Sequence, residues 1–324
     1  MATYRQVKGY SVKSVTSNPD NSKPGQVWYN STESKINSNL TIAAAWASGG
    51  NLGTARERLG AAGTQTEGLA FGGNVGTPPS PTVSNTSEEY NGSSWTEGNN
   101  LNTARLSIKG AGSQTAAVGF GGGFPTSDMN LTEEYNGTSW SEQNDMSVDR
   151  AGHTGFGTQT AAVATGGYPA IANTEHYNGS SWTAGGNLGT GRYGMGAAGT
   201  LTAGLVFGGA SPVTGKTEEY DGSSFSESGD MNNSRFGLAG SGTQTAALGF
   251  GGAPGPSGQV LTEKYDGTSW TTTSSLANAR FYLAGCGTQA SGLAFGGFSA
   301  PAGNLNSTEE FTDEADTVRS FDVS

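Results

Sequence analysis

Two ionisable residue types, arginine and glutamate, recur along the chain at regular spacings and could form charged sites. The arginines are Arg56, Arg105, Arg150, Arg192, Arg235 and Arg280. The glutamates, each followed two residues later by an aromatic residue, are Glu88, Glu133, Glu175, Glu218, Glu263 and Glu309. Because a buried charge ordinarily has a partner, these series predict repeated ion pairs that tie strands or neighbouring repeats together. The alternative is a ring of arginines that binds an anion.

Residues that could support catalysis are few. His153, His176 and Cys286 each stand where sister segments of the chain carry other residues. The sequence contains no phosphate-binding loop, no nucleophile elbow and no set of metal ligands. We therefore expect a protein that is not an enzyme, with no catalytic residue, no metal and no cofactor.

The composition narrows the fold class. The chain has 324 residues, of which 54 are glycine, and only 13% are charged. No apolar run approaches the roughly 20 residues that a membrane span needs. So much glycine argues against long helices, and the glycines lack the three-residue period of collagen. A modest net charge of −11 with 9% aromatic residues argues against disorder, which leaves an all-β protein or a repeat array.

The elements that must position these residues come from an internal repeat. One aromatic residue closes each unit, at Trp46, Trp95, Trp140, Trp182, Phe225 and Trp270. An arginine follows each of them by 10 residues, and a Gly-Gly pair follows each arginine by 16. Each unit predicts four strands: a strand of small residues, an apolar strand, the Glu-x-Tyr strand and the strand of the closing aromatic. Asn-Gly or Asp-Gly predicts a type I′ hairpin turn between the last two. This pattern is typical of a propeller blade, whereas a β-solenoid has shorter repeats.

The order Gly-Gly, Glu-x-Tyr, Trp and Arg resembles the kelch repeat over residues 46–311. The resemblance implies an all-β, six-bladed kelch-like β-propeller, in which residues 41–48 close the sixth blade. The chain departs from the pattern at Thr165, Phe225 and Phe311. We predict a docking segment with a small β-hairpin at 1–40, a propeller at 41–316 and a terminal strand at 317–324.

All variation in repeat length falls between Gly-Gly and Glu. The six loops there have 14, 10, 7, 8, 10 and 11 residues, and the first of them is 74–87. Loops on a rigid scaffold often carry recognition, although unconstrained loops also drift. The candidate recognition residues are Pro78, Pro79, Phe124, Asp128, Tyr168, Lys216 and Phe298.

The segment Gly-Gln-Val-Trp-Tyr-Asn-Ser-Thr (25–32) and the repeats themselves resemble virion structural proteins of marine tailed phages. The N-terminus has no apolar stretch typical of a signal peptide. Residues 1–40 carry a net charge of +3 and the remainder −14, which disfavours nucleic acid as a partner. The resemblance implies a virion protein for host recognition or decoration, present in multiple copies. It would contact other virion proteins through its N-terminal segment, recognise a host glycan or envelope protein, and not insert into membranes. The alternatives are a bacterial lectin-like or protein-binding propeller and a degenerate kelch-type enzyme.

Overall fold

A computed structural model of the chain describes residues 4–7, 10–77, 80–124 and 127–322, and side chains within 12–77, 80–123 and 127–321. All regular elements among these residues are β-strands. None of the described segments forms a helix long and apolar enough to cross a membrane. The chain divides into two compact units, residues 1–45 with 313–324 and residues 46–312. Predicted candidates Pro78 and Pro79 lie outside the described residues, as does the side chain of Phe124.

The strands at the start of the chain and in the first two sheets of the larger unit are, in chain order, β1 (Tyr4–Val7), β2 (Tyr10–Val15), β3 (Val27–Asn30), β4 (Lys35–Ile42), β5 (Ala45–Ser48), β6 (Gly60–Gly63), β7 (Gly68–Phe71), β8 (Ser87–Tyr90), β9 (Trp95–Glu97), β10 (Lys109–Gly112), β11 (Ala117–Phe120), β12 (Gly123–Phe124), β13 (Ser127–Asp128), β14 (Thr132–Tyr135) and β15 (Trp140–Glu142).

The remaining strands are β16 (Thr154–Thr158), β17 (Ala161–Thr165), β18 (Thr174–Tyr177), β19 (Trp182–Ala184), β20 (Gly196–Thr200), β21 (Ala203–Phe207), β22 (Thr217–Tyr220), β23 (Phe225–Ser228), β24 (Phe236–Thr243), β25 (Ala246–Ala253), β26 (Thr262–Tyr265), β27 (Trp270–Thr272), β28 (Ala284–Gly287), β29 (Ser291–Phe295), β30 (Phe298–Ser299), β31 (Gly303–Asn304), β32 (Thr308–Thr312) and β33 (Ala315–Asp322).

The smaller unit is one five-stranded sheet in the order β1-β2-β3-β4-β33. The hairpin predicted around Val27 and Trp28 is the antiparallel pair β3 and β4, and the terminal strand, which begins at Ala315, pairs with β4. Trp28 is fully buried, and its indole N–H donates to Asn18 Oδ1 at 3.0 Å. Residues 41 and 42 pair with β33 here, so the predicted closing strand at 41–48 is wrong at its start.

The larger unit contains six four-stranded sheets, which we number I to VI from β6. Sheets I to V each take four strands from one repeat, in the orders β6-β7-β8-β9, β10-β11-β14-β15, β16-β17-β18-β19, β20-β21-β22-β23 and β24-β25-β26-β27. Sheet VI has the order β28-β29-β32-β5, so its fourth strand comes from residues 45–48. The first strands of successive sheets contact each other, and β28 contacts β6.

Neighbouring sheets are packed together by the closing aromatic residues. Trp140 of sheet II packs on Phe71 of sheet I at a ring separation of 4.9 Å, and its indole N–H donates to Ser87 Oγ at 3.0 Å. Trp95 of sheet I packs in the same way on Phe295 of sheet VI, at 4.8 Å. Apolar clusters of fully buried residues therefore lie between the sheets.

Sheets III and IV carry two departures from the repeat, and these compensate each other. Thr165 replaces the phenylalanine that a tryptophan would cover, and Phe225 replaces that tryptophan. Without an indole N–H as a donor, Thr174 Oγ1 instead forms a hydrogen bond with Thr165 Oγ1 at 2.7 Å. Both hydroxyl groups are buried and satisfied, as buried polar groups normally are.

The repeated arginines and glutamates meet in pairs within each repeat. Arg105 Nη2 lies 2.7 Å from Glu133 Oε1, and both side chains are buried. The second carboxylate oxygen, Glu133 Oε2, accepts the backbone N–H of Asn102 at 2.7 Å. The other five pairs join Arg56 to Glu88, Arg150 to Glu175, Arg192 to Glu218, Arg235 to Glu263 and Arg280 to Glu309. Each pair fixes the segment that leads into the first strand of its sheet.

Glycine meets one backbone need in all six repeats and a second in the five repeats that contain an Asn-Gly or Asp-Gly turn. Gly72 has φ +65°, and a Cβ there would lie 2.7 Å from the carbonyl oxygen of Arg105. In the Asn-Gly turn, Gly92 has φ +87°. The prediction of a type I′ turn is wrong, however, because positive φ is confined to the glycine. Asn91 instead accepts the backbone N–H groups of Ser93 and Ser94 on its side-chain oxygen.

Candidate functional site

A cavity lies where the leading segments of the six sheets converge. It has a volume of about 550 Å³. Its wall comes from the residues that follow the buried arginines and from three of the variable loops. The polar and aromatic residues of this wall include Glu57, Arg58, Asn74, Ser107, Lys109, Asp128, Tyr168, Tyr193 and Tyr282.

A ring of left-handed residues surrounds the cavity. These residues stand two positions after each buried arginine and have φ between +53° and +66°; they are Arg58, Ser107, Gly152, Gly194, Gly237 and Tyr282. Backbone N–H groups of this ring donate to carbonyl groups of the neighbouring ring residue, for example Ser107 to Arg58 at 2.7 Å and Arg58 to Tyr282 at 2.8 Å. Each sheet therefore contributes one backbone position to the cavity.

Three positions of this ring carry side chains where glycine would be relaxed. Arg58, Ser107 and Tyr282 adopt the left-handed conformation at roughly 1 kcal/mol each or more, whereas the three sister repeats have glycine. All three line the cavity. Strain that is retained at one site and absent from its equivalents points to a role for these side chains.

Aromatic and cationic groups share the cavity wall. The Arg58 guanidinium lies 4.0 Å from the centre of the Tyr282 ring, a cation–π contact. Burial raises the pKa of the Tyr282 hydroxyl. Across the cavity wall, Tyr168 meets Tyr193 edge to face at 5.5 Å, and Tyr168 is 58% exposed. These rings offer flat apolar surfaces with hydroxyl groups at their edges.

Lys109 is the second cation. It stands four positions after Arg105, where the sister repeats carry the small residues Gly60, Thr154, Gly196, Ala239 and Ala284. It lines both the cavity and a narrower space of about 60 Å³ among the first strands. Burial lowers the pKa of its ammonium group to about 8. Among the described residues the ammonium has no hydrogen-bond or ion-pair partner.

Two carboxylates complete the polar lining, and both have structural neighbours. Asn74 Nδ2 donates to Glu57 Oε1 at 3.0 Å, and Asn74 Oδ1 accepts two backbone N–H groups of its own loop. Burial, with a smaller contribution from Asp149, raises the pKa of Asp128. The cavity thus combines cations, hydrogen-bond acceptors and aromatic faces.

Of the predicted recognition residues, the structure brings Asp128 and Tyr168 into the cavity. Lys216 lies elsewhere, exposed and paired with Glu227 at 2.8 Å. Phe298 packs on Phe281 at 5.6 Å and is only partly exposed. The arginine ring considered as an anion site is accounted for by the buried ion pairs.

The sequence interpretation missed Arg58, Ser107, Lys109 and Tyr282. The signal was available, because each breaks a position that the other repeats fill with glycine or another small residue. Loop length indicates variation between repeats, but it does not reveal single substitutions at positions inside a regular repeat.

The histidines and the cysteine lie apart from the cavity wall. His153 is fully buried where sister repeats have Leu59 or Ile108, and burial holds its pKa well below the usual range. His176 Nε2 lies 2.5 Å from the Tyr220 hydroxyl oxygen. Cys286 is a buried free thiol, and burial raises its pKa to about 12. Within the described residues, no three His, Cys, Asp or Glu side chains form a group that could hold a metal.

Comparison with known proteins identifies the fold. No protein-family model matches the chain, and no curated protein sequence matches it. Among solved structures, one titled "Structure of YjhT" is similar with a TM-score of 0.67 and 13% sequence identity, covering 83% of this chain and 99% of that one. The similarity shows an all-β fold of repeated blades, of the kelch-type propeller kind. At this identity it extends to the fold alone.

Proposed function

We propose that this chain is a non-enzymatic recognition protein that binds its ligand in the cavity ringed by Arg58, Ser107 and Tyr282. The observation that carries this proposal is the strain at these three residues, which face one cavity while their sister positions are glycine. Strained positions persist where function uses them. A cavity of about 550 Å³ is also of the size that small ligands occupy.

The scaffold we infer for this cavity is a closed six-bladed propeller. Its support is the contact of β28 with β6, the packing of Trp95 on Phe295, and the place of β5 beside β32. Trp46 on β5 also donates its indole N–H to Thr262 Oγ1 at 3.0 Å. Removal of residues 1–49 should abolish cooperative unfolding. A melting curve unchanged by that truncation would contradict closure by β5.

We place this protein on a phage particle, as an adhesin or decoration that recognises the host surface. The setting rests on the sequence resemblance described above. The smaller sheet supports a docking role, because it exposes a group of large apolar side chains, Val27, Leu40, Ile42, Val318 and Phe321, and exposed apolar patches often mark interaction sites. We propose that other virion proteins bind there, in multiple copies around a symmetric assembly.

Two measurements test this proposal. Mass spectrometry of purified phage particles, with immuno-electron microscopy, should detect the chain and locate it on the surface. Labelled protein should also bind host cells, and Tyr168→Ala should weaken that binding whereas Lys23→Ala, at an exposed position outside the cavity and the docking surface, should not. Absence from particles together with retained cell binding would favour the alternative, a lectin-like bacterial propeller. Equal binding by both variants would remove the cavity from recognition.

A further inference from the structure

The unpaired ammonium group of Lys109 is the feature of the cavity that indicates a ligand. Lys109 is half-buried and lines the cavity, and its ammonium has no hydrogen-bond or ion-pair partner among the described residues. The sister repeats place glycine, alanine or threonine at this position, so the fold itself does not require a lysine there. A side chain that the scaffold does not need and does not neutralise is a counter-charge for something that binds.

Other charges near Lys109 do not supply its partner. Glu57 is engaged by Asn74, and its second oxygen lies 3.9 Å from Arg58. Asp128 is influenced by Asp149 and the backbone of Ala151, not by Lys109. The nearby cations Arg105 and Arg150 are paired with Glu133 and Glu175. The carboxylates of the wall, Glu57 and Asp128, equal its cations Arg58 and Lys109 in number, but neither carboxylate is paired with the Lys109 ammonium.

The remainder of the wall restricts the ligand further. Tyr168, Tyr193 and Tyr282 offer ring faces, while Ser107, Asn74 and Asp128 offer hydroxyl, amide and carboxylate groups. Alternation of flat apolar faces and hydrogen-bonding groups suits a sugar ring, which has C–H faces and hydroxyl edges. A long polyanion is disfavoured, because residues 41–324 carry a net charge of −14.

We propose that the cavity binds an anionic sugar, one saccharide unit with a single carboxylate or sulfate group, and that this group pairs with the Lys109 ammonium. The inference rests on the proposed binding role of the cavity and names its ligand class. The sugar ring stacks on the tyrosines, and Arg58, held over Tyr282, contributes a second donor toward the anionic group.

Matched sugars test the proposal. Calorimetric titration of the full chain with glucuronate against glucose, galacturonate against galactose, and galactose 6-sulfate isolates the contribution of the anionic group. We expect acidic sugars to bind about tenfold or more tightly than their neutral partners, because a hydrogen bond to a charged group is stronger than one between neutral groups. The uronate and sulfate arms distinguish the two possible anions.

The variant Lys109→Met should remove this preference, whereas Lys23→Met, at an exposed loop position of the smaller unit, should leave both the preference and the affinity for neutral sugars unchanged. Equal binding of acidic and neutral sugars, or a preference retained in Lys109→Met, would overturn the inference while leaving recognition in the cavity intact. No binding of any acidic sugar at millimolar concentration would also overturn it, even if host-cell binding still depends on Tyr168. Turnover of a bound sugar, detected by NMR, would instead refute the non-enzymatic role. Preference for an acidic peptide over every sugar would refute the sugar class.

Discussion

Replacing Lys109 by methionine should make the protein more stable at neutral pH, which is unusual for a change at a partly buried position. Burial lowers the pKa of the Lys109 ammonium from 10.5 to about 8. Desolvation causes this lowering of the pKa, so the charged form of Lys109 destabilises the folded protein. Methionine keeps an unbranched apolar chain of similar length without the charge.

The magnitude follows from the two pKa values. The difference between 10.5 and 8, at about 1.4 kcal/mol for each pH unit, corresponds to about 3 kcal/mol of lost stability below pH 8. Between pH 8 and 10.5 the unfolded chain holds a proton that the folded protein has released. The wild-type protein therefore gains stability as the pH rises through this window, relative to Lys109→Met. Because the half-buried ammonium keeps some contact with water, the advantage of the variant should be at most about 3 kcal/mol at pH 7 and close to zero above pH 10.5.

Urea unfolding followed by tryptophan fluorescence, at a series of pH values from 7 to about 10.5, measures this difference. The variant Lys109→Arg separates charge from shape, because arginine keeps its charge throughout this range. It should show no gain at pH 7 and no convergence with Lys109→Met at high pH. The exposed Lys23→Met should stay within about 0.5 kcal/mol of wild type at every pH.

A stability difference that does not depend on pH would refute the reasoning, because it would assign the effect of Lys109→Met to packing. So would a variant less stable than wild type at pH 7, since Lys109 would then have a stabilising partner. An acidic sugar that binds Lys109 should reduce the advantage of the variant at pH 7, which links the stability measurement to the proposed ligand.

Three further predictions concern the scaffold and the ring. Arg150→Met leaves Glu175 buried without its partner and should reduce the free energy of unfolding by about 3–5 kcal/mol. The double variant with Glu175→Gln should recover most of that loss. A loss below about 1 kcal/mol, which is the effect expected for the exposed Lys216–Glu227 pair, would contradict a buried pair. Ser107→Gly should stabilise the protein by about 1 kcal/mol in urea unfolding by relieving positive φ, and destabilisation would mean that the Ser107 side chain is structurally required. Gln114→Leu should lower the free energy of unfolding by about 1–3 kcal/mol in the same assay, because Gln114 Nε2 donates to the carbonyl oxygens of Gly68 and Tyr90 in the neighbouring sheet. An unchanged urea midpoint would show that water satisfies these carbonyl groups.

The sequence was sufficient for an all-β fold of four-stranded repeats because its signals are local and repeated. The 10- and 16-residue intervals place the four strands of each repeat, and the structure pairs them as four-stranded antiparallel sheets. Contacts between repeats were harder to predict. The glutamine of the Gly-Thr-Gln-Thr-like turns was interpreted only as part of a turn. Its side chain in fact donates to backbone carbonyl groups of the preceding sheet, at Gln65, Gln114, Gln159, Gln244 and Gln289. A residue's spacing along the chain does not reveal partners that lie in another repeat.

The candidate site was predicted only in part for the same reason. Asp128 and Tyr168 were found because their loops vary in length. Lys109 and Tyr282 lie in segments of constant length, and they face one cavity only because six leading segments converge. That convergence brings together residues more than 170 positions apart, which no local pattern shows.

Residues that depart from the repeat can therefore indicate function, provided that departures which the fold compensates are separated from those which it does not. Thr165 and Phe225 break the pattern together, and the bond between Thr165 and Thr174 restores what the missing indole would have satisfied. Such a pair indicates drift that packing has absorbed. Lys109, Ser107 and Tyr282 break it without compensation, since one retains an unpaired charge and the others retain positive φ. Uncompensated breaks scattered over the surface would have no common explanation. Because these face a single cavity, the stability lost at each is most simply explained by a shared ligand, and substitutions that restore the repeat there should improve folding and weaken binding together.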